Sequence, residues 1–208
     1  MKPRHGLAAV IATAAAALVP AIAAAQEVTL KVHHFWPPTA MPPSTLLVPW
    51  CDKIAKDSNN RMKCQIYPSM QLGGTPPQLF EQVREGVADI VWTLPGYTAG
   101  RFPAVEVFEM PFMMQNPEAT SKALWDYVEQ YASAEFKDVK PLAFHVHGDG
   151  VFHMTNKPVR TAADLKGLKL RAPTRQTNKF LALLGATPVS MPVPQVGDAL
   201  SKGVIDGA

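Results

Sequence analysis

From Val28 onward the chain alternates strand and helix signals without a break in rhythm, and this constrains its fold more than any single motif. Val28 to His34 reads as a strand, Ser44 to Asp57 as a helix, Met62 to Tyr67 as a strand, Thr75 to Glu85 as a helix closed by Gly86, and Ala88 to Thr93 as a strand. Such alternation is solved by a mostly parallel sheet with helices on its faces, an α/β fold. Thr75 is a good N-cap with Pro76 at the first helical position, although Pro77 weakens the first turn. A helix over Pro117 to Tyr131 and a strand over Val139 to Val146 continue the pattern. Short strands follow at Phe152 to Thr155, Leu168 to Ala172 and Thr187 to Ser190, with helices at Thr174 to Leu184 and Pro194 to Lys202. Glycines in His147-Gly-Asp-Gly150 interrupt the apolar pattern and mark a domain change. The expected division is a first α/β domain over 26–148 and part of a second over 149–208.

The first residues read as an address. Lys2, Arg4 and His5 precede an apolar run from Leu7 to Val19, and Ala23-Ala24-Ala25 offers a small-residue cleavage site before Gln26. That is the pattern of a secretory signal peptide over 1–25, which directs the mature chain to export. The run is too short for a spanning helix, and no later segment reaches the roughly 18 apolar residues that spanning needs. The residue directly after the cleavage site is Gln26 and not a cysteine, so a lipid anchor is not expected. The 20 Lys and Arg face 17 Asp and Glu, and without Lys2 and Arg4 the mature chain is close to neutral. A nucleic-acid partner is therefore not expected.

Cys51 and Cys64 are the two cysteines. Cys51 lies on the apolar face Leu47, Trp50, Cys51, Ile54 of a helix, and Cys64 on the Met62, Cys64, Ile66 face of the next strand. Their heights along the two elements agree. A bridge needs Cα atoms within about 7 Å, closer than a helix usually packs on a sheet, so two buried thiols are expected ahead of a disulfide.

Candidate chemistry gathers at the predicted strand ends. Thr161 with Asp164 at its third position caps a short turn that Gly167 ends, and the strand Leu168 to Ala172 then delivers Arg171 to its carboxyl end, just before the helix opened by Pro173-Thr174. Helix N–H groups there favour anions, and a guanidinium fits a carboxylate with a planar fork of donors. An ordinary surface ion pair is the competing reading. Phe35 and Trp36 follow the first strand, Trp92 and Tyr97 flank the end of the third, and Phe152 lies in the fifth. The strand-end loops place Trp36 and Tyr97 on the side where open α/β sheets hold ligands. His145, His147 and His153, with Asp149, could form a metal cluster, but structural or ligand-contacting histidines are the favoured reading and no metal is expected. Neither a nucleophile elbow nor a Gly-rich phosphate loop occurs, so an enzyme is not expected and no cofactor is implied.

With these residues in place, the chain resembles the solute-binding proteins of tripartite ATP-independent periplasmic (TRAP) transporters, the DctP family. The resemblance is carried by Tyr67-Pro-Ser-Met-Gln-Leu-Gly73, Glu81, Gly86 and Asp89, by Phe102-Pro103 and Glu109-Met-Pro-Phe112, and by Asp164-Leu-Lys-Gly-Leu-Lys-Leu-Arg171. It continues through Leu184-Gly-Ala-Thr-Pro188 and Ala199-Leu to Val204-Ile-Asp-Gly207. It implies a periplasmic-binding-protein fold, two α/β domains closing around a cleft on an organic anion, which is then delivered to the membrane subunits of a TRAP permease. Arg171 matches the arginine that holds the ligand carboxylate. A second arginine of sialic-acid binders falls at Val151, their acidic pocket position at Leu94 and their first-strand asparagine at Phe35, which implies a less polar pocket. Phe35, Trp36, Trp92, Leu94, Tyr97 and Phe152 would shape that pocket, with Thr75 or His153 bonding a hydroxyl or keto oxygen. The expected ligands are small 2-oxo, 2-hydroxy or aromatic carboxylic acids. Family members run on well beyond the position of Ala208, so the resemblance implies that the second domain is incomplete here. A periplasmic sensor subunit on the same fold and an exported metal-dependent hydrolase are the alternatives.

Overall fold

Parallel pairing around the first strand organises the amino-terminal half of the computed structural model, which describes residues 27–208. Strand β1 (Val28–His34) is flanked by β2 (Met62–Tyr67) and β3 (Ile90–Trp92), with Val28 opposite Met62, His33 opposite Tyr67 and His34 opposite Trp92. The order β2-β1-β3 leaves β1 central. Helix α1 (Val48–Asp57) makes the first crossover and α2 (Leu79–Arg84) the second. Val32, His33, His34 and Phe35 are buried in succession, as expected for a parallel strand covered on both faces. The signal-peptide reading of 1–25 lies outside the described residues.

Local chemistry explains where these elements start and stop. Proline density from Pro37 to Pro43 holds the chain in turns until a wide helical turn, Pro43–Leu47, leads into α1. Asn59 and Asn60 adopt left-handed conformations at φ 52° and 61° and return the chain to β2, a backbone that asparagine tolerates better than most residues. The expected helix over Thr75 to Glu85 is divided: Pro76–Gln78 forms one tight turn and α2 begins only at Leu79, because two prolines supply no N–H to that turn. Helix α3 (Pro117–Tyr127) is capped by the Asn116 side chain, which accepts from Ala119 N–H at 3.0 Å, and its end widens through Val128–Ala132. Phe80, Phe102 and Phe136 pack in sequence at 4.9 Å between ring centroids beneath it.

A second parallel sheet pairs β4 (Lys169–Ala172) with β5 (Thr187–Ser190), joined by α4 (Arg175–Leu183), whose Thr174 cap accepts from Thr177 N–H. Helix α5 (Val196–Ser201) follows β5. Residues 205–208 lie along the free edge of β4, with Asp206 N–H donating to Lys169 O at 2.7 Å and Arg171 N–H to Gly207 O at 3.0 Å. On their outer side His153 and Ala208 exchange backbone bonds of 2.8 and 3.0 Å. The strand expected at Phe152 to Thr155 is thus reduced to a single bridge, Met154 with Gly207.

Two expectations are corrected. Residues 139–146 form no strand; they run extended over the surface with Phe144 and Val146 tucked against the aromatic core and Val146 N–H bonded to Ser121 Oγ at 3.0 Å. Pro141 cannot donate to a ladder, and side-chain burial replaces backbone pairing there. Cys51 and Cys64 are joined in a disulfide with Cα atoms 5.6 Å apart, not left as thiols. The short return through Ser58–Arg61 holds α1 close over the strand it feeds. Among the described residues, no helix is long and apolar enough to cross a membrane.

The bridge spans a sequence separation of 13, and closing a loop of that size in the unfolded chain is worth about 3 kcal/mol. Reduction, or the double replacement Cys51→Ala with Cys64→Ala, should lower stability by about 2–4 kcal/mol in denaturant titrations. The buried histidines generate a pH dependence. Burial lowers the His33 pKa from 6.5 against the opposing pull of its Gln82 bond, and burial with the neighbouring His33 lowers that of His34. Below pH 6.5 the unfolded chain therefore binds more protons than the folded one. Their contribution is complete above that pH and is lost as pH falls toward the depressed folded values, by at most about 1.4 kcal/mol per unit for each histidine. Stability measured at descending pH from 7.5 should show this decline.

Candidate functional site

Arg171 is the third residue of β4, and its side chain is fixed before any ligand is considered. Its Nε–H donates to Met191 O at 3.0 Å and an Nη2–H to the Tyr97 hydroxyl at 3.4 Å. An arginine carries five N–H donors, so the remaining ones lie on the Nη1–Nη2 end of the guanidinium, a pair able to receive a carboxylate end-on. Burial lowers the Arg171 pKa from its ordinary value while Tyr97 raises it, and a guanidinium stays protonated throughout.

Tyr97 closes the turn Pro95–Tyr97 that follows β3. Its hydroxyl accepts from Arg171 and, at 3.1 Å, from Val193 N–H. With its oxygen accepting twice, the hydroxyl keeps its own proton as a further donor beside Arg171. The Tyr97 ring meets Phe35 edge-on at 5.6 Å, and Phe35 meets Trp36 at 4.8 Å. The structure thus brings Arg171, Tyr97, Phe35 and Trp36 into one run of contacts. The Trp36 indole N–H and both His34 ring nitrogens are buried without a protein partner. An open groove of about 270 Å³ adjoins the cluster, lined by Tyr97, Thr174, Arg175, Asn178 and Ser190. An apolar hollow of about 340 Å³ between α3 and residues 142–144 contains none of these groups.

The turn that carries Tyr97 is held in place by close packing. A Cβ on Gly96 would run into the Thr174 side chain and the Glu109 carboxylate, so the backbone can lie this near the α4 cap only because the residue is glycine. Burial raises the Glu109 pKa and the neighbouring Glu106 charge adds to the rise, while Thr174 and Arg175 act in the opposite direction. On the other side, the loop Pro68–Gly73 folds over the end of β1. Ser69 N–H bonds Trp36 O at 2.9 Å and Met70 N–H bonds His34 O at 3.1 Å. A relay supports this loop: Leu72 N–H reaches His33 Nε2 at 3.4 Å, His33 Nδ1 bonds Gln82 Oε1 at 2.8 Å, and Gln82 Nε2 bonds Gly73 O at 2.9 Å. Those partners fix His33 as the neutral tautomer with its proton on Nδ1.

Other sequence candidates are engaged elsewhere. The Thr75 hydroxyl donates to Gln78 Oε1 at 3.0 Å. Trp92 Nε1–H donates to His145 Nε2 at 3.1 Å, and the two rings meet edge-on at 5.5 Å. Leu94 is half-buried as the residue that begins the Tyr97 turn. Phe152 is 43% exposed, and the exposed His153 uses its backbone to pair with Ala208. His147 Nδ1 lies 2.7 Å from Gly148 O, and among the described residues no group of three or more His, Cys, Asp or Glu could hold a metal ion. Sequence reasoning missed the backbone partners Met191 and Val193 and the close approach at Gly96. The proline density from Pro188 to Pro194 was a signal for the first two, and Pro-Gly-Tyr for the third.

The chain belongs to the DctP family, described as bacterial extracellular solute-binding protein, family 7, which matches residues 32–208. It is similar to a crystal structure of a TRAP solute-binding protein from Rhodoferax ferrireducens in complex with copurified benzoate. That protein is 57% identical, the match covers 86% of this chain and 56% of that one, and the TM-score is 0.85. A marine metagenome TRAP solute-binding protein specific for aromatic acid ligands, in complex with 3-hydroxybenzoate, is 54% identical over 88% of this chain and 57% of its own, also at a TM-score of 0.85. The 2,3-diketo-L-gulonate-binding periplasmic protein YiaO of Escherichia coli is 29% identical over 158 residues, 74% of this chain and 48% of that protein. The chain spans about half the length of the curated relatives it matches. The family is one of solute-binding proteins.

Replacing Tyr97 by Phe tests the hub directly. It leaves Val193 N–H and one Arg171 N–H without an acceptor, so folding stability should fall by about 1–3 kcal/mol in urea titrations while the ring packing on Phe35 persists.

Proposed function

We propose that this chain captures a small aromatic carboxylate in the periplasm and delivers it to the membrane subunits of a TRAP permease. The observation that carries the reading is the Nη1–Nη2 end of Arg171, its Nε edge held by Met191, set beside the Tyr97 hydroxyl with Phe35 and Trp36 adjoining. A carboxylate would take its two oxygens to those donors and lay its ring against the aromatic faces. Leu94, Trp92 and Phe152 would extend the apolar wall, and His153 in place of the occupied Thr75 would meet a ring substituent. The relatives with benzoate and 3-hydroxybenzoate support an aromatic acid over a 2-oxo or 2-hydroxy acid. Binding and release would involve closure of two domains, 26–148 and the unit that begins at 149, with no bond made or broken. A leader over 1–25 would supply export.

Calorimetric titration of the protein with benzoate, 3-hydroxybenzoate, glucuronate and sialic acid tests the reading. The aromatic acids should bind and the sugar acids should not, because an apolar wall leaves their hydroxyls unpaired. Arg171→Lys keeps the charge and loses the fork, and should weaken benzoate binding by about 1.5–3 kcal/mol. Equal affinity for that variant would remove Arg171 from the site, and tighter binding of a sugar acid would overturn the ligand class.

A further inference from the structure

Glu106 carries a buried charge that carboxylate binding does not use. It lies on the turn Val105–Glu109 and is 5% exposed. Its Oε2 accepts from Arg175 Nε–H at 2.7 Å and Gln176 Nε2 at 2.8 Å, with Arg175 Nη2 at 2.5 Å, and its Oε1 accepts from Gly100 N–H at 3.4 Å. Burial alone would push this carboxyl up, but Arg175, Gln176 and the Gly100 N–H hold it below the usual carboxylate range.

The two ends of this contact belong to separate packing units. Val105 is buried with Phe80, Phe102 and Leu124. Helix α4 lays Leu181 against Leu165 and Leu170 under the second sheet. Arg175 and Gln176 open α4 directly after β4, the strand that carries Arg171. Two nitrogens of Arg175 close on one oxygen, Glu106 Oε2, which Gln176 shares, and these charge-assisted bonds tie the Val105–Glu109 turn to the start of α4.

Resting on the aromatic-carboxylate reading, we propose that Glu106 is a positioning residue: by anchoring Arg175 and Gln176 it holds the start of α4 on the Val105–Glu109 turn and keeps Arg171 at the Tyr97 hydroxyl, where the carboxylate is received. It touches no ligand. Its removal costs affinity through the relative placement of Arg171 and the Phe35–Tyr97 aromatic pair.

The test uses the protein spin-labelled at Lys56→Cys in α1 and Lys202→Cys at the end of α5, both exposed positions, the native cysteines being bonded to each other. Pulsed electron resonance should give a single narrow distance. In Glu106→Gln that distribution should broaden, and benzoate affinity, measured where the variant is fully folded by circular dichroism, should fall about tenfold, within the usual span of coupling between sites. Arg175→Met should give the same changes, and the double variant should add little to either single one. Glu118→Gln, which breaks only the exposed pair with Lys122, should change neither readout. If Glu106→Gln does not fold, Arg175→Lys, which keeps the charge and loses the fork at a partly exposed site, should broaden the distance in its place. An unchanged distance together with unchanged benzoate affinity in folded variants overturns the proposal. Failure of the unsubstituted protein to bind benzoate would count against the ligand reading, and the distance measurement would then decide the positioning role alone.

Discussion

Arg171 has its Nε edge bonded to the Met191 carbonyl, and that bond sets the direction in which the rest of the guanidinium faces. Met191 follows directly on β5, whose pairing with β4 places Val189 opposite Arg171. The strand ladder, the turn beyond it and the guanidinium therefore form one rigid unit. Tyr97 brings the first sheet to that unit, because its hydroxyl is shared by Arg171 and Val193 while its ring rests on Phe35 at the end of β1. A donor array assembled from two sheets in this way is pre-organised, and for the proposed carboxylate less ordering cost would remain to be met on binding.

Both sides of this junction are built from groups that tolerate little change. Gly96 has no room for a methyl group, and Glu106 and Glu109 sit on one turn with opposite displacements of their carboxyl pKa values. Partner supply explains the difference: three residues donate to Glu106, while one oxygen of Glu109 is buried without any donor among the described residues. The charge that a strong fork stabilises and the charge that burial disfavours are thus placed a single helical turn apart.

Much of this was legible in the sequence. The β–α alternation, the strand carrying Arg171, the Thr174 cap and the aromatic residues at strand ends all follow from local pattern and composition. What was not legible depended on contacts across the fold. Residues 139–146 have the hydrophobicity of a strand, yet their backbone has no ladder to join. The apposition of Cys51 and Cys64 was visible, but the helix lies nearer to β2 than an average helix–sheet spacing would allow. Glu106 has no motif around it in the sequence, and only the arrival of Arg175 and Gln176 from α4 makes it a buried ion. Thr75 was expected as a ligand contact under the family resemblance, and its place as the cap of a helical turn makes its hydroxyl available to Gln78 instead.

The placement of residues 205–208 between β4 and Met154 has a consequence for how the second sheet is assembled. Segment 153–155 does not bond to β4; it bonds to 205–208, which bond to β4 in turn. Thr155 and Asp206 are separated by 51 residues and Lys169 and Asp206 by 37, so neither closure is local. The pair β4 and β5, brought together by α4, can form first; residues 205–208 can then add to its edge, and only afterwards can 153–155 find a template. Because non-local closures must be made before their contacts stabilise anything, the attachment of the stretch that follows His147-Gly-Asp-Gly150 depends on 205–208 being in place first.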